Sequence, residues 1–340
     1  MKAIEIAQIG SFDGLHLVER PDPKPGEHDV LVRIRATSLN YRDLMIPLGT
    51  FPRGGSHIGL IPLSDGAGEV VEVGRRVTRV RTGSRVSMPP LVGWIGGPIR
   101  AEYTFRNIGF DMDGTLAEYV VFHEDAVVEI PAYMRFDEAA ALPCAGTSAW
   151  ATLTGGNRPV APGDTVLVQG TGGVSMLALQ FAKLFGARVI AITSTDAKAA
   201  FLRDVGADEV INYVQHPNWE EQVLALTNGT GVDRVIEIGG AATIQHSAKA
   251  TRIGGTLSCV GFVGGRTGGA DPLLLIGRGL NLNCYLMGNR NDFEAMLAAM
   301  ALHKVHPVLD QKRFTIAAAA QAFAHLHNAN HVGKIIVEVD

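Results

Sequence analysis

The chain has 340 residues, of which 46% are hydrophobic and 19% charged, and its formal net charge is −4. A single hydrophobic core rarely extends beyond about 250–300 residues, so this length predicts two domains. The small negative charge provides no basic field for nucleic acid or for an anionic membrane, and we expect neither as a partner.

Cysteine content and hydropathy bear on the compartment. The three cysteines lie far apart and are odd in number, which is not the pattern of a disulfide framework or of a four-cysteine zinc module. No stretch reaches about 18 uncharged apolar residues, and no apolar run follows a basic cluster at the start. We therefore expect a cytoplasmic protein without a signal peptide or a membrane span.

Residues 1–128 predict a mostly β domain, because short apolar runs alternate with turn-forming segments such as 20–26. The predicted strands are 2–8, 30–38, 68–73, 85–88 and 119–122.

After Pro162 the pattern changes to strands that alternate with helices. The strands are predicted at 165–168, 188–192, 209–211, 234–238, 256–260 and 280–286. Six strands with helices between them predict a doubly wound parallel sheet of the α/β class. The tail predicts helices at 292–302 and 316–326 and a last strand at 334–339, outside this repeat.

A glycine-rich turn follows the first of these six strands and reads Gln169-Gly170-Thr171-Gly172-Gly173-Val174-Ser175. A turn of this kind between a strand and a helix is typical of dinucleotide binding. Gly170 allows the tight turn, Gly172 lets a pyrophosphate approach the backbone, and the helix amino terminus supplies N–H donors. Ser175 replaces the usual third glycine and is small enough to keep the helix near the sheet.

The end of the second strand favours NADPH over NADH. An acidic residue there would bind the ribose hydroxyls of NAD, but Thr193 and Ser194 occupy that position and Lys198 follows. Hydroxyls and a cation suit the 2′-phosphate of NADPH, and Tyr213 after the third strand could add a donor. The alternative is that Asp196 caps the next helix and Lys198 is solvated.

Several motifs together suggest a family. They are Asn40-Tyr41-Arg42-Asp43, Leu63-Ser64-Asp65-Gly66-Ala67-Gly68, Gly83-Ser84-Arg85-Val86, Leu142-Pro143-Cys144-Ala145-Gly146-Thr147 and the Gly170–Ser175 turn. The chain resembles, over nearly its whole length, the medium-chain dehydrogenase/reductase superfamily, and within it the zinc-lacking branch that is quinone oxidoreductase-like and enoyl reductase-like. The resemblance implies a GroES-like catalytic domain from 1–128 and 289–340, a Rossmann NADP(H)-binding domain from 129–288, and a homodimer or homotetramer.

The resemblance also bears on zinc. The three catalytic zinc ligands of the superfamily's alcohol dehydrogenases fall on Asn40, Ser64 and Cys144, and an amide with a hydroxyl would hold zinc poorly. The proton-relaying hydroxyl falls on Arg42, which cannot relay a proton. Residues 91–116 contain none of the cysteines of a structural zinc lobe. We therefore expect no bound metal.

Five histidines near the carboxyl terminus are candidate metal ligands. No acidic residue has ligand spacing to them, so we expect solvated or capping roles. They are His303, His306, His325, His327 and His331.

The resemblance implies a catalytic surface made of Asn40, Tyr41, Asp43 and Ser64. Asn40 resembles an amide beside the nicotinamide or substrate, and Asp43 braces its loop or caps a helix. Tyr41 either donates to the substrate or is a packed ring. Related reductases often place a tyrosine where this chain has Phe51, so a proton donor from that position is missing. If a donor is needed, Tyr41, Arg42, Arg53 or bound water must serve. The implied cofactor contacts beyond the glycine-rich turn are Thr147, Gly239, Val260, Gly261, Phe262, Met287, Gly288, Asn289 and Lys334.

These expectations define the functional hypothesis. It is a zinc-independent, NADPH-dependent reductase that transfers hydride to a quinone or to an α,β-unsaturated carbonyl compound. Two alternatives stay open: an enzyme like the alcohol dehydrogenases, and a non-catalytic NADPH-binding sensor.

Overall fold

The structure is a computed structural model that describes residues 1–54 and 56–339. The chain forms two compact units. The first comprises Met1–Thr147 and the segment that starts at Asn289, and the second is Ser148–Gly288. Within the described ranges, no helix is both long and apolar enough to cross a membrane.

Fifteen strands and ten α-helices are present in the described residues. The strands are β1 (Lys2–Ile6), β2 (Leu15–Glu19), β3 (Asp29–Ser38), β4 (Asp65–Val73), β5 (Arg85–Ser87), β6 (Tyr119–His123), β7 (Val128–Glu129), β8 (Thr165–Gln169), β9 (Arg188–Thr193), β10 (Glu209–Asn212), β11 (Val232–Glu237), β12 (Thr251–Cys259), β13 (Asn281–Cys284), β14 (Leu309–Thr315) and β15 (Lys334–Glu338). The helices are α1 (Tyr41–Met45), α2 (Phe136–Ala140), α3 (Pro143–Thr154), α4 (Gly173–Leu184), α5 (Asp196–Val205), α6 (Trp219–Leu226), α7 (Ile244–Ala250), α8 (Pro272–Gly277), α9 (Arg290–His303) and α10 (Ala319–His327).

The first unit is built on a seven-stranded sheet to which both ends of the chain contribute. Its order is β14-β15-β3-β4-β5-β7, and β6 pairs with β3. The carboxyl-terminal strand β15 runs antiparallel to β3, with Ile336 opposite Ser38. Alternating apolar residues of β3, including Val30, Val32 and Ile34, are fully buried in the core of this unit.

The first unit also includes residues after 128, the limit predicted for the first domain. Helix α2 packs against β3 and β4. The Ser38 hydroxyl, at the end of β3, donates to the carbonyl of Ala140 at 2.7 Å. Residues 129–147 therefore belong to the β unit in this structure, whereas the sequence-based division assigned them to the second domain.

The second unit contains the predicted parallel sheet. Its six strands follow the order β10-β9-β8-β11-β12-β13, and every adjacent pair is parallel. The chain crosses from one side of β8 to the other after β10, which makes the carboxyl ends of β8 and β11 the topological switch point where ligands bind in such sheets. Val166 and Val235, on adjacent strands, are fully buried.

Three strands were missed by the sequence prediction. They are β2, β7 and β14, which lie at sheet edges or in a two-stranded pair. In β2 and β14 most side chains are exposed or partly exposed, so neither has the alternating apolar pattern that identifies a half-buried strand.

Candidate functional site

Four side chains of the first unit form a closed hydrogen-bonded ring, Lys334-Asn40-Ser64-Asp65. The ammonium of Lys334 donates to Oδ1 of Asn40 at 2.6 Å and lies 3.5 Å from Oδ2 of Asp65. Nδ2 of Asn40 lies 3.5 Å from Oγ of Ser64, and that hydroxyl donates to Oδ1 of Asp65 at 2.8 Å. We call this set the polar ring.

The polar ring is assembled from elements far apart in the chain. Asn40 precedes α1 and Lys334 opens β15, which pairs with β3 and so comes beside Asn40. Ser64 directly precedes β4, and Leu63 before it has a φ of 70°, a left-handed conformation that a leucine rarely adopts. Such strain persists where surrounding contacts hold the backbone in place. Here the N–H of Thr115 donates to the carbonyl of Leu63 at 2.9 Å.

The ring is almost completely excluded from water. Ser64 and Asp65 have no exposed surface, Lys334 has 2% and Asn40 has 9%. Burying an ammonium and a carboxylate is costly unless each is paired and hydrogen-bonded. Both are: Lys334 also donates to the carbonyl of Leu39 at 2.7 Å, and Asp65 accepts from the N–H of Cys144 at 3.1 Å.

A second charged pair, Arg42 and Asp43, lies next to the ring on α1. The carboxylate of Asp43 accepts the backbone N–H of Asn40 at 2.8 Å, which fixes the start of the helix. Complete burial raises the pKa of Asp43 to about 6, against the opposing effect of the Arg42 charge. Nε of Arg42 is 3.9 Å from Oδ1 of Asp43, and within the described residues neither atom has a hydrogen-bond partner.

Cys144 is an unreactive thiol in this setting. Burial, together with the nearby charge of Asp65, raises its pKa to about 12. A thiol with such a pKa stays protonated at neutral pH and is a weak nucleophile. Thr147, one turn further along α3, is fully buried and donates its hydroxyl to the carbonyls of Pro143 and Cys144.

The structure distinguishes among the side chains considered as proton donors. Tyr41 is 43% exposed, so it is not a buried packed ring. Phe51 packs on Phe110 with ring centroids 4.5 Å apart. Arg53 donates to the carbonyl of Thr104 and to the carboxylate of Asp111, and its guanidinium lies over the Phe110 ring. The guanidinium of Arg53 is therefore already engaged in hydrogen bonds within the protein.

The glycine-rich turn of the second unit has the geometry of an anion site. Gly170 has a φ of 74°, as its tight-turn role requires. Gly172 caps α4, whose first N–H groups receive no side-chain cap. A Cβ atom at Gly172 would meet no atom within 4 Å, so the backbone is open on that side. Ser175 donates to the carbonyl of Gln169, which ties α4 to β8 and explains how serine serves in place of glycine.

A buried polar network that no sequence pattern indicated supports this turn. Glu237, at the end of β11, accepts hydrogen bonds from the N–H groups of Gly239 and Gly240 and from the hydroxyl of Thr243 at 2.8, 2.9 and 2.5 Å. Its other oxygen accepts from Gln169 at 2.8 Å and from Ser247. The network joins the carboxyl ends of β8 and β11 and fixes the backbone at the predicted cofactor residue Gly239.

The predicted 2′-phosphate residues lie at the carboxyl end of β9. Thr193 is buried, and its carbonyl accepts the N–H of Tyr213 at 2.9 Å, which brings Tyr213 to the same edge. The helix cap is Thr195, not Asp196, because Oγ1 of Thr195 accepts the N–H of Lys198 at 3.2 Å. Asp196 instead accepts from Asn212 at 2.8 Å. Ser194 and Lys198 are partly exposed and are therefore accessible.

The remaining predicted cofactor residues follow the last two strands of the sheet. Val260 comes directly after β12 and donates its N–H to the carbonyl of Glu237 at 2.9 Å, while Gly261 is closely approached by Ile238. Phe262 continues this turn. Met287 is buried and is followed by Gly288, the last residue of the second unit. Asn289 begins the return to the first unit and caps α9 by accepting the N–H of Asp292.

Two of the histidines pair with carboxylates. His306 contacts Glu138 at 2.8 Å and is itself exposed, as predicted. His325 is mostly buried and contacts Asp310 on β14 at 3.1 Å, so the prediction of a solvated or capping role was wrong for this ring. Within the described residues, no group of three or more histidine, cysteine or acidic side chains could hold a metal ion.

Comparison with known proteins shows the family. Residues 26–132 match the alcohol dehydrogenase GroES-like domain, and residues 173–301 match the zinc-binding dehydrogenase domain. A zinc-type alcohol dehydrogenase-like protein of Schizosaccharomyces pombe is 37% identical over 343 residues, covering 98% of this chain and 97% of the relative. The chain belongs to the medium-chain dehydrogenase/reductase superfamily.

Solved structures agree with this placement. A candidate alcohol dehydrogenase from Sinorhizobium meliloti 1021 has a TM-score of 0.92 and 35% identity, covering 99% of this chain and 98% of its own. The quinone oxidoreductase from Coxiella burnetii has a TM-score of 0.81 and 26% identity, covering 100% of this chain and 99% of its own. The GroES-like and Rossmann fold class predicted from the sequence is confirmed, and the chain is an oxidoreductase of this type.

Proposed function

We propose that the protein is a zinc-independent, NADPH-dependent reductase that transfers hydride to a quinone or to an α,β-unsaturated carbonyl compound. The observation that supports this most is the polar ring. It occupies the positions where the resemblance puts the first two zinc ligands, and an ammonium lies among them.

The donor set does not fit zinc. Zinc prefers thiolate, imidazole or carboxylate ligands. Asn40 offers an amide whose oxygen already accepts from Lys334, and Ser64 offers a hydroxyl that donates to Asp65. A zinc ion would also be repelled by the Lys334 ammonium 2.6 Å from the Asn40 oxygen.

The glycine-rich turn does fit a dinucleotide. The uncapped N–H groups at the start of α4 can receive the pyrophosphate, and the open side of Gly172 leaves room for it. Ser194 and Lys198 would receive the 2′-phosphate at the end of β9, with Tyr213 beside them. Once bound, the dihydronicotinamide supplies the hydride. The predicted dimer or tetramer is compatible with this proposal and stays a prediction.

The acceptor class follows from the poor fit of the polar ring to zinc, which would otherwise act as the Lewis acid. Quinones and conjugated carbonyl compounds need less activation than simple ketones, because the charge that develops is delocalised and hydrogen-bond donors can stabilise it. The similarity to a quinone oxidoreductase supports this class. The names of other relatives favour alcohol dehydrogenation, which is the second candidate function.

The test combines binding and turnover. Wild-type protein should oxidise NADPH when a quinone or an enone is added, and should not reduce NADP when alcohols are added. NADPH binding without any acceptor-dependent rate would instead favour a sensor.

Gly172→Val tests the cofactor site, because its φ of −74° accepts a side chain and the added atoms point into open space. The variant should fold and lose NADPH binding in calorimetry. Gly277→Val is the matched control, since a Cβ there also meets no atom within 4 Å. Unchanged binding by Gly172→Val would refute the site assignment.

A further inference from the structure

The proposed reaction needs a hydrogen-bond donor for the oxygen on which charge develops, and Tyr41, which is 43% exposed, is one candidate. Phe51 has no donor, and Arg53 is occupied by Thr104 and Asp111. Nε and Nη2 of Arg42 are inaccessible to solvent. The polar ring contains a further donor, the amide of Asn40.

The direction of every hydrogen bond in the ring follows from chemistry. Lysine can only donate and an ionised aspartate can only accept. The atom of Asn40 that faces Lys334 must therefore be Oδ1, which places Nδ2 on the opposite side of the amide. Ser64 donates to Asp65, so its oxygen can accept from Asn40.

Asn40 keeps donor capacity in this arrangement. Its NH2 group has two hydrogens, and the Ser64 oxygen at 3.5 Å can accept at most one of them over a long distance. Asn40 is also the most exposed member of the ring, at 9%, against 2% for Lys334 and none for Ser64 and Asp65. Of the four members, Asn40 is therefore the one with most contact with solvent.

We propose that the Nδ2 group of Asn40 donates to the carbonyl oxygen of the substrate, and that Lys334 is the positioning residue that holds the amide in this orientation. The inference rests on the proposed function. When hydride adds to the β carbon of an enone, the pair of the C=C bond forms a new double bond to the carbonyl carbon, and the pair of the C=O bond moves onto the oxygen as an enolate. The Asn40 N–H stabilises that charge, and a proton from water completes the saturated product.

Asn40→Asp removes the donor and adds a negative charge in its place. The carboxylate keeps the acceptor for Lys334, so folding should be retained while the oxyanion loses its donor and is repelled. Removing one such donor costs about 100–1,000-fold in kcat in comparable sites. We expect a loss of this size for enone reduction, with little change in NADPH binding.

Lys334 is tested by loss and by conservative replacement. Lys334→Met releases the amide, and we expect kcat to fall with retained NADPH affinity, whereas Lys334→Arg keeps a donor for Asn40 and should recover part of the rate. If Lys334 acts through Asn40, the double variant Asn40→Asp/Lys334→Met should lose less than the sum of the two single free-energy effects. Asn328→Asp and Lys312→Met are exposed controls in the same unit.

A readout independent of turnover uses 4-nitrophenol as an oxyanion probe, followed by the absorbance of its phenolate. Bound to wild-type protein, the probe should ionise at lower pH than in solution, because Asn40 and the nearby ammonium favour the anion. Asn40→Asp and Lys334→Met should abolish this shift, and the controls should retain it.

The outcomes separate this inference from the proposed function. If wild-type protein shows no acceptor-dependent NADPH oxidation, the proposed function fails. If it turns over but the Asn40 and Lys334 variants keep wild-type rates, show additive losses, or leave the probe shift unchanged, the positioning role is overturned. A probe that does not bind wild-type protein also overturns it.

Discussion

The buried carboxylate of Asp43 should make stability fall as pH rises. Burial raises its pKa from 3.8 to about 6, opposed by Arg42 and Lys334 and assisted by Asp65. A native-state pKa above the unfolded value means that the folded protein binds the extra proton. The contribution of Asp43 to the free energy of unfolding is therefore fully present below pH 3.8 and is lost as pH rises through 6. One pKa unit corresponds to about 1.4 kcal/mol, so the full effect is about 3 kcal/mol.

Asp43→Asn removes the titration and keeps an oxygen for the N–H of Asn40. Between pH 4 and pH 7 the variant should gain about 2 kcal/mol relative to wild type. Urea unfolding of both proteins at several pH values measures this difference, and other titrating groups cancel in the comparison. A difference that stays constant from pH 4 to 7, or that changes in the opposite direction, would refute the reasoning.

Two further predictions concern groups outside that carboxylate. Glu237→Gln places an NH2 group where hydroxyl and N–H donors converge, so it should lower the free energy of unfolding by about 1–3 kcal/mol and weaken NADPH binding. Urea unfolding and calorimetry measure these two effects, and wild-type values for both would contradict the prediction. Cys144, with its pKa raised from 9.0 to about 12, should react with iodoacetamide at pH 8 about 1,000-fold more slowly than an unperturbed thiol. Mass spectrometry after timed labelling checks this, with the exposed Cys284 as internal control, and comparable labelling of the two cysteines would contradict the assigned environment.

Local sequence patterns were sufficient to predict the strands of the parallel sheet. Strands β8 and β9 are mainly apolar runs, and the intervening helices and glycines mark the limits of the others, so the predicted strands agree with β8–β13 to within a few residues at most ends. The larger disagreement is at β12, which begins at Thr251 instead of 256 and includes Gly254 and Gly255. Glycines in a strand weaken the pattern on which the prediction depends.

The polar ring could not be derived from local patterns. Asn40 and Lys334 are 294 positions apart, and only the pairing of β15 with β3 brings them together. The resemblance indicated Lys334 as a cofactor contact, while the structure places its ammonium on Asn40 and near Asp65. The acceptor network of Glu237 was missed for the same reason, since Gln169 is 68 residues away on a different strand.

The most direct test of the central claim is the rate of quinone-dependent or enone-dependent NADPH oxidation by protein treated with a strong chelator, with metal content measured in the same sample. The proposal predicts that turnover continues with zinc far below one ion per chain. Loss of the rate on chelation and its return on adding zinc would contradict it, because the ring of Lys334, Asn40, Ser64 and Asp65 would then have to open to bind a metal.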